Sequence, residues 1–295
     1  METTPYPQTA TVTPKTSKAA VASLVCGILG LCLLVPSLFG GILGIIALIK
    51  INKSQGTLKG SGLAIGGLVT SGLSIITVGI TASMLLPALA RAKAKANRIK
   101  CLNNLGSIGK AHFGFADSNS MRLPWQLTPT QKQTHFGSNT SLSVGSIFGL
   151  QAMKMELQTP KILLSPSDPD RFAANENMQM EWMSYDTSAG NPIPTEDISY
   201  GLCTGGDLQR PSTVIALTKN IRSDLMSDWA GADERPVPSM AFAGLNKSQG
   251  QLVLADGSAR QSSNADLGGF GRITKAHINS RGGQTRGNAS PAVLR

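Results

Sequence analysis

The stretch Leu85–Phe113, LLPALARAKAKANRIKCLNNLGSIGKAHF, decides how this chain is built. Alanine, leucine and long basic side chains favour helix, and Leu85, Ala88/Leu89, Ala92, Ala96, Ile99, Leu102 and Leu105 recur at intervals of three and four. The spacing predicts one continuous amphipathic helix. Its expected apolar face toward a folded head is Ile99, Leu102, Leu105 and Phe113. Arg91, Lys93, Lys95, Arg98 and Lys100 give it a basic face, either solvated or at lipid headgroup depth. There, anionic lipid is worth about 1 kcal/mol per nearby cation. The run has no interleaved aromatics and follows an apolar stretch, so nucleic acid is not an expected partner.

Upstream of this helix the charge distribution is one-sided. Of 27 Lys+Arg and 17 Asp+Glu in 295 residues, residues 1–110 hold 11 bases and one acid, Glu2; residues 111–295 hold 16 of each. The formal charge of +10 therefore belongs to the first third. Two stretches there, Ala19–Ile49 and Gly60–Ala90, carry no charge over 31 residues each. About 20 apolar residues cross a bilayer as helix, so each is long enough, and a purely soluble protein is excluded. Val35-Pro36 and Gly40-Gly41 permit either a kinked crossing or a hairpin in the first stretch. The second reads as one crossing, its Ser/Thr hydroxyls able to bond back to their own helix. Gly40 with Gly44, and Gly62 with Gly66, place small residues on one helix face, for close packing within the chain or in a homo-oligomer. Residues 1–18 are polar, Thr/Pro-rich and expected to be disordered, and the full-length apolar stretch behind them reads as a retained anchor. Two crossings would put the head in the cytoplasm and three would export it; counting charges leaves both open.

Residues 111–262 are punctuated by prolines between short apolar runs, which suits an antiparallel sheet with long connections. Ser212–Leu217 reads as a strand and Val144–Met155 as a helix. Gln251–Ala255, Asp256-Gly257 and Ser258–Gln261 read as a hairpin with a two-residue type I′ turn, which makes Asp256 structural. The fold class is thus α+β: transmembrane helices, then a long amphipathic helix packed on an antiparallel sheet. Residues 263–295 include five bases and few bulky apolar groups after Gly268, and are expected to be a disordered tail.

The run Leu86–Lys93, then Cys101–Gly109, Ala116-Asp117 and Arg122-Leu123-Pro124, resembles the pilin-like type II secretion pseudopilins of the planctomycete and verrucomicrobial type. Ser165-Pro166-Ser167-Asp168-Pro169 resembles their Cys-Pro-Ser-Asp segment, with Ser165 in place of the cysteine. Ser199-Tyr200-Gly201 and Leu254-Ala255-Asp256-Gly257-Ser258 also resemble segments of theirs. The resemblance, scattered over residues 85–262, implies a pilin-like head outside the cytoplasmic membrane. It departs before the span, where the Gly-Phe-Thr-Leu-like peptidase site and its following Glu are absent; no acid lies between Glu2 and Asp117. Through Gly41–Leu48 and Thr57–Leu68, residues 19–80 instead resemble a small Gly-rich bacterial membrane domain of unknown function. The expected organisation is a polar segment 1–18, a membrane domain 19–84, a head 85–262 and a tail 263–295.

Chemistry is sparse. His112, His135 and His277 share no metal-ligand spacing with one another or with cysteine, and no nucleophile elbow, phosphate loop or dinucleotide fingerprint occurs. His112 reads as a packed residue. Asp168-Pro169-Asp170 and Glu196-Asp197 are the acidic pieces available to calcium, but they lack dense oxygen-ligand spacing and read as solvated turns; no cofactor is expected. Cys26 and Cys32 serve as small apolar residues, whereas Cys101 and Cys203 are a candidate disulfide if the head is exported. The expectation is a non-enzymatic, membrane-anchored assembly component whose partners are the bilayer and other envelope or secretion proteins. The alternatives are an envelope carbohydrate-binding module or enzyme using Trp125, Trp182 and Trp229, and a scaffold whose spans carry the function.

Overall fold

The computed structural model describes residues 15–29, 34–54, 58–137, 141–168, 170–171, 178, 181–182, 185–246 and 248–295. The chain forms two compact units that divide between Arg91 and Ala92. Cys32 and most of the N-terminal polar segment lie outside the described residues.

The first unit contains the two-residue strand β1 (Lys15–Thr16), helix α1 (Lys18–Leu29), helix α2 (Leu34–Lys53), strand β2 (Leu58–Lys59) and the start of helix α3 (Ser61–Asp117). The first apolar stretch is two helices, not one kinked helix. Pro36 falls in the first turn of α2, where a missing N–H costs no helical bond. Strands β1 and β2 pair in parallel, so α1 and α3 start at the same end. A Cβ on Gly67 of α3 would lie 2.5 Å from Ser23 Oγ of α1, and one on Gly44 of α2 3.3 Å from the Ala64 carbonyl. Ala20, Ala47 and Ala64 are fully buried together. Small residues thus let backbones touch, as expected where dispersion rather than hydrophobic burial holds helices together. Of the expected small-residue positions, Gly44 makes this contact, Gly66 meets Leu24 at 3.4 Å and Gly40 is buried, whereas Gly62 has open space around it.

The second unit is α+β. After the remainder of α3 come α4 (Pro129–Phe136), α5 (Val144–Phe148) and α6 (Gln151–Leu157). The helix expected over Val144–Met155 is broken because Leu150 adopts an extended backbone. Strands β3 (Tyr200–Cys203), β4 (Val214–Thr218), β5 (Gln249–Leu254) and β6 (Ala259–Ser263) follow, then α7 (Arg272–Ile278) and β7 (Val293–Leu294). The five strands form one antiparallel sheet in the order β6-β5-β4-β3-β7.

Both faces of this sheet are covered. Tyr200, Leu202, Ile215, Ala216 and Val253 join a core with Cys101, Leu105, Ile108 and Phe115 of α3. Cys203, Val214, Leu217, Leu252 and Leu254 join a second core with Trp229, Leu267, Ile273 and Val293. The alternation along β4 is interrupted by a bulge between Val214 and Ala216, which lets Ile215 and Ala216 face the same core. Residues 263–295 are therefore not a disordered tail. They supply α7, the edge strand β7 and part of the second core.

Two buried charges explain that ordering. The Arg210 guanidinium donates to the carbonyls of Ser280 (3.0 Å), Gly282 (2.5 Å), Gly287 (3.1 Å) and Thr285. The Asp207 carboxylate accepts from the Gln284 N–H at 2.8 Å and lies 3.8 Å from Arg210 Nε. His277 completes the clasp, its Nδ1 accepting from the Val214 N–H at 2.9 Å and its Nε2 donating to the Ser290 carbonyl at 2.8 Å. A few polar side chains thus satisfy a segment poor in apolar mass.

Candidate functional site

Among the described residues, α3 is the one helix long and apolar enough to cross a membrane. From Ser61 to Ala90 it rises about 45 Å, more than a hydrocarbon core. Its hydroxyls are satisfied internally: Thr70 donates to Gly66 O (2.9 Å), Ser74 to Thr70 O (2.7 Å), Thr77 to Leu73 O (3.1 Å) and Thr81 to Thr77 O (3.0 Å). Val69, Ile76, Met84, Leu85 and Leu89 are all more than 60% or at 60% exposed, an apolar surface suited to lipid. The helix runs on through Pro87 without a break.

Beyond it, Arg91, Lys93, Lys95 and Lys100 remain exposed. Arg98 departs from the expected basic face. Its guanidinium donates to the Gly244 carbonyl, with Nε at 2.8 Å, while its own carbonyl accepts from Gln251 Nε2 at 3.0 Å. The buried stripe of this segment is Cys101, Leu105, Ile108, Ala111, His112, Phe115 and Ala116. Of the expected apolar face only Leu105 is fully buried; Leu102 is half-buried, and Ile99 and Phe113 are 49% and 53% exposed. The cause is the close approach at Gly109, where a Cβ would stand 2.9 Å from Val253 Cγ2. This contact turns the stripe toward the sheet away from Ile99 and Phe113.

Cys101 and Cys203 are free and sit in different cores on opposite faces of the sheet, so the candidate disulfide does not form. Cys101 Sγ instead accepts from Ser165 Oγ (3.3 Å) and Tyr200 OH (3.4 Å), and Asn104 Nδ2 donates to Tyr200 OH and to the Leu164 carbonyl, both at 3.2 Å. Burial pushes the Cys101 thiol up to about 11 and Cys203 still higher. Ser165 thus faces Cys101. Beside this network a groove of about 400 Å³ is lined by Lys100, Asn103, Asn104, Thr159, Lys161 and Ile162 among others.

The histidines are held apart. His112 is fully buried against Trp125 and Phe148, its Nδ1 2.8 Å from the Ile108 carbonyl, and burial lowers its pKa to about 4. His135 Nε2 lies 2.8 Å from Asn119 Oδ1. The three tryptophans share no common face: Trp229 is fully buried in the second core, whereas Trp125 and Trp182 pack against the first. Asp168 is paired with Arg171 at 2.5 Å. Among the described residues no group of three or more His, Cys, Asp or Glu side chains is arranged to hold a metal ion.

The hairpin turn is longer than expected. Gly257 N–H donates to Leu254 O and Leu254 N–H to Ser258 O, both at 3.0 Å, and Gly257 has φ +83° while Asp256 does not enter the left-handed region. This is a three-residue loop whose glycine forms the bulge. Asp256 Oδ1 accepts from the Ser258 N–H at 2.8 Å.

Lys219 was missed in the sequence, because a lysine just after an apolar strand carries no motif. It is 6% exposed, donates to the Thr195 carbonyl, and lines an open cavity of about 330 Å³ with Arg171, Thr195, Glu196, Met240 and Arg295. Burial, then the neighbouring Arg171, brings its pKa down to about 7.

Residues 19–81 match a family model described as a domain of unknown function, DUF4190. No curated protein matches the chain. No solved structure matches it either.

Proposed function

We propose that this chain is a membrane-anchored, pseudopilin-like structural or assembly component of a cell-envelope system of the type II secretion or type IV pilus kind, and not an enzyme. The observation that supports this reading is α3 itself. One uninterrupted helix carries a lipid-suited apolar surface in its first half and the packing stripe of an antiparallel sheet in its second. Its partners are the bilayer and other envelope proteins, and the half-exposed Ile99 and Phe113 are the apolar contacts offered to them.

The anchor is a three-helix domain in the inner membrane. The α1–α2 hairpin returns the chain to the end where α1 starts, which gathers Lys15, Lys18, Lys50, Lys53 and Lys59 there. The positive-inside rule makes that end cytoplasmic, and α3 then delivers the chain beyond Arg91 to the outer side.

The test is protease access to residues 118–295 in intact spheroplasts, combined with photocrosslinking from position 113 in the producing cell. Digestion from outside and a crosslink to an envelope protein are expected. A protected segment, or crosslinks to cytoplasmic proteins alone, refutes the proposal.

A further inference from the structure

Lys219 is the ionisable group whose surroundings the assembly role leaves unused. Its backbone N–H donates to the Ser199 carbonyl at 3.1 Å, which fixes the root of the side chain at the end of β4. Its Nζ is held by the Thr195 carbonyl at the wall of the 330 Å³ cavity. Arg171 enters the same cavity, with Nη1 on Asp168 at 2.5 Å and Nε on the Glu196 carbonyl at 2.9 Å. Arg295 enters it too, held by Asp224 (2.7 Å) and by the Ile221 carbonyl (2.9 Å). Both guanidinium groups are therefore positioned by the protein before any ligand arrives, and Met240 supplies an apolar wall.

We propose that this cavity binds a small oxo acid, an aldehyde or ketone bearing an anionic group, and that Lys219 Nζ condenses with its carbonyl to form an imine. The anionic end is drawn by the positive charges of Arg171 and Arg295 at the cavity wall. The lone pair of neutral Nζ attacks the carbonyl carbon, forming the C–N bond as the C=O π pair moves to oxygen. The resulting carbinolamine loses that oxygen as water, together with protons from nitrogen and solvent, leaving C=N. The step is reversible and needs no oxidant or reductant.

Deprotonation of Lys219 favours the reaction at neutral pH. Burial and the like charges of Arg171 and Arg295 disfavour the ammonium, Asp168 and Glu196 favour it, and the balance lies near 7. At pH 7 roughly half of such an amine is neutral, against about 1 in 2,500 for a lysine of ordinary pKa 10.4. A less basic amine is a weaker nucleophile, so the expected advantage is smaller than that ratio, at least about tenfold.

The full-length chain in detergent, treated with glyoxylate and cyanoborohydride at pH 7, tests this. The reagent delivers hydride to the imine carbon, and the stable adducts are located by peptide mass mapping. Exposed Lys93, Lys95, Lys100 and Lys110 serve as internal standards in the unaltered protein. Lys219 should be modified at least about tenfold faster than these, and inorganic phosphate and the substitution Arg171→Gln should each slow Lys219 alone. Modification of Lys219 no faster than that of Lys93 and Lys95 overturns the proposal. Fast modification indifferent to phosphate and to Arg171→Gln overturns the oxo-acid assignment.

Discussion

Replacing Arg210 with alanine should release the last 17 residues of the chain from the second unit. The guanidinium is buried and donates to four backbone carbonyls between Ser280 and Gly287, and it neutralises the fully buried Asp207. Removing one partner of a buried charge pair costs about 3–5 kcal/mol, because the other is left uncompensated. For a unit of about 200 residues, each kcal/mol shifts the midpoint by roughly 2–4 °C, so the melting temperature should fall by roughly 6–20 °C. Arg210→Lys should recover little, since one ammonium cannot reach four separated carbonyls. All three tryptophans belong to this unit, so their fluorescence reports its melting in the full-length protein in detergent. Hydrogen exchange then localises the effect. The Ala289 and Val293 amides, bonded to Ile278 O (3.1 Å) and Asp224 O (2.8 Å), should lose protection first. Unchanged protection at those two amides with a melting shift under about 2 °C would refute the idea that this buried pair orders the C-terminal segment.

Other outcomes follow from the same contacts. Ser165→Cys should form a disulfide with Cys101 on mild oxidation, since the present Oγ and Sγ are 3.3 Å apart; closing a loop of this length contributes about 4 kcal/mol, read as a raised midpoint under non-reducing conditions. In the native protein Cys101 and Cys203 should resist alkylation at pH 8 and react only in denaturant, and rapid native labelling of either would contradict their burial. Gly67→Ala should destabilise the first unit in detergent because its Cβ would meet Ser23 at 2.5 Å, whereas Gly62→Ala, with open space, should be neutral or gain up to about 1 kcal/mol. For His112 the folded pKa of about 4 lies below the unfolded 6.5, so the unfolded chain binds the proton first. Stability is then whole above pH 6.5 and falls by about 3 kcal/mol as the pH drops to 4, a slope that His112→Phe should reduce in acid titration of the melting midpoint.

Much of the fold was readable in local pattern, and the errors share a cause. The helix through Leu85–Phe113 was legible because alanine, leucine and lysine favour helix with or without tertiary contacts. Its buried face was not, because Ile99 and Leu105 are equally apolar and contacts with the sheet, Gly109 against Val253 among them, select between rotations. The hairpin was legible from Asp256-Gly257, yet its loop has three residues because the register Val253–Ala259 is set by the sheet. The basic run was visible, but nothing local marked Arg98 as the one bound to Gly244. Lys219 was invisible as a site, since its surroundings come from residues 171, 195, 196, 240 and 295.

The C-terminal segment marks the boundary most clearly. Composition alone established the charge-free stretches, the continuous helix and the strand-rich region after it, because hydrophobic transfer and backbone propensity act over a few neighbouring residues. Composition also made residues 263–295 look unable to fold. Their order comes from Asp207 and Arg210, some 70 residues upstream, which meet Ser280–Gly287 only in the folded unit. Desolvated charge is costly unless partners surround it, and only the tertiary structure brings those partners together.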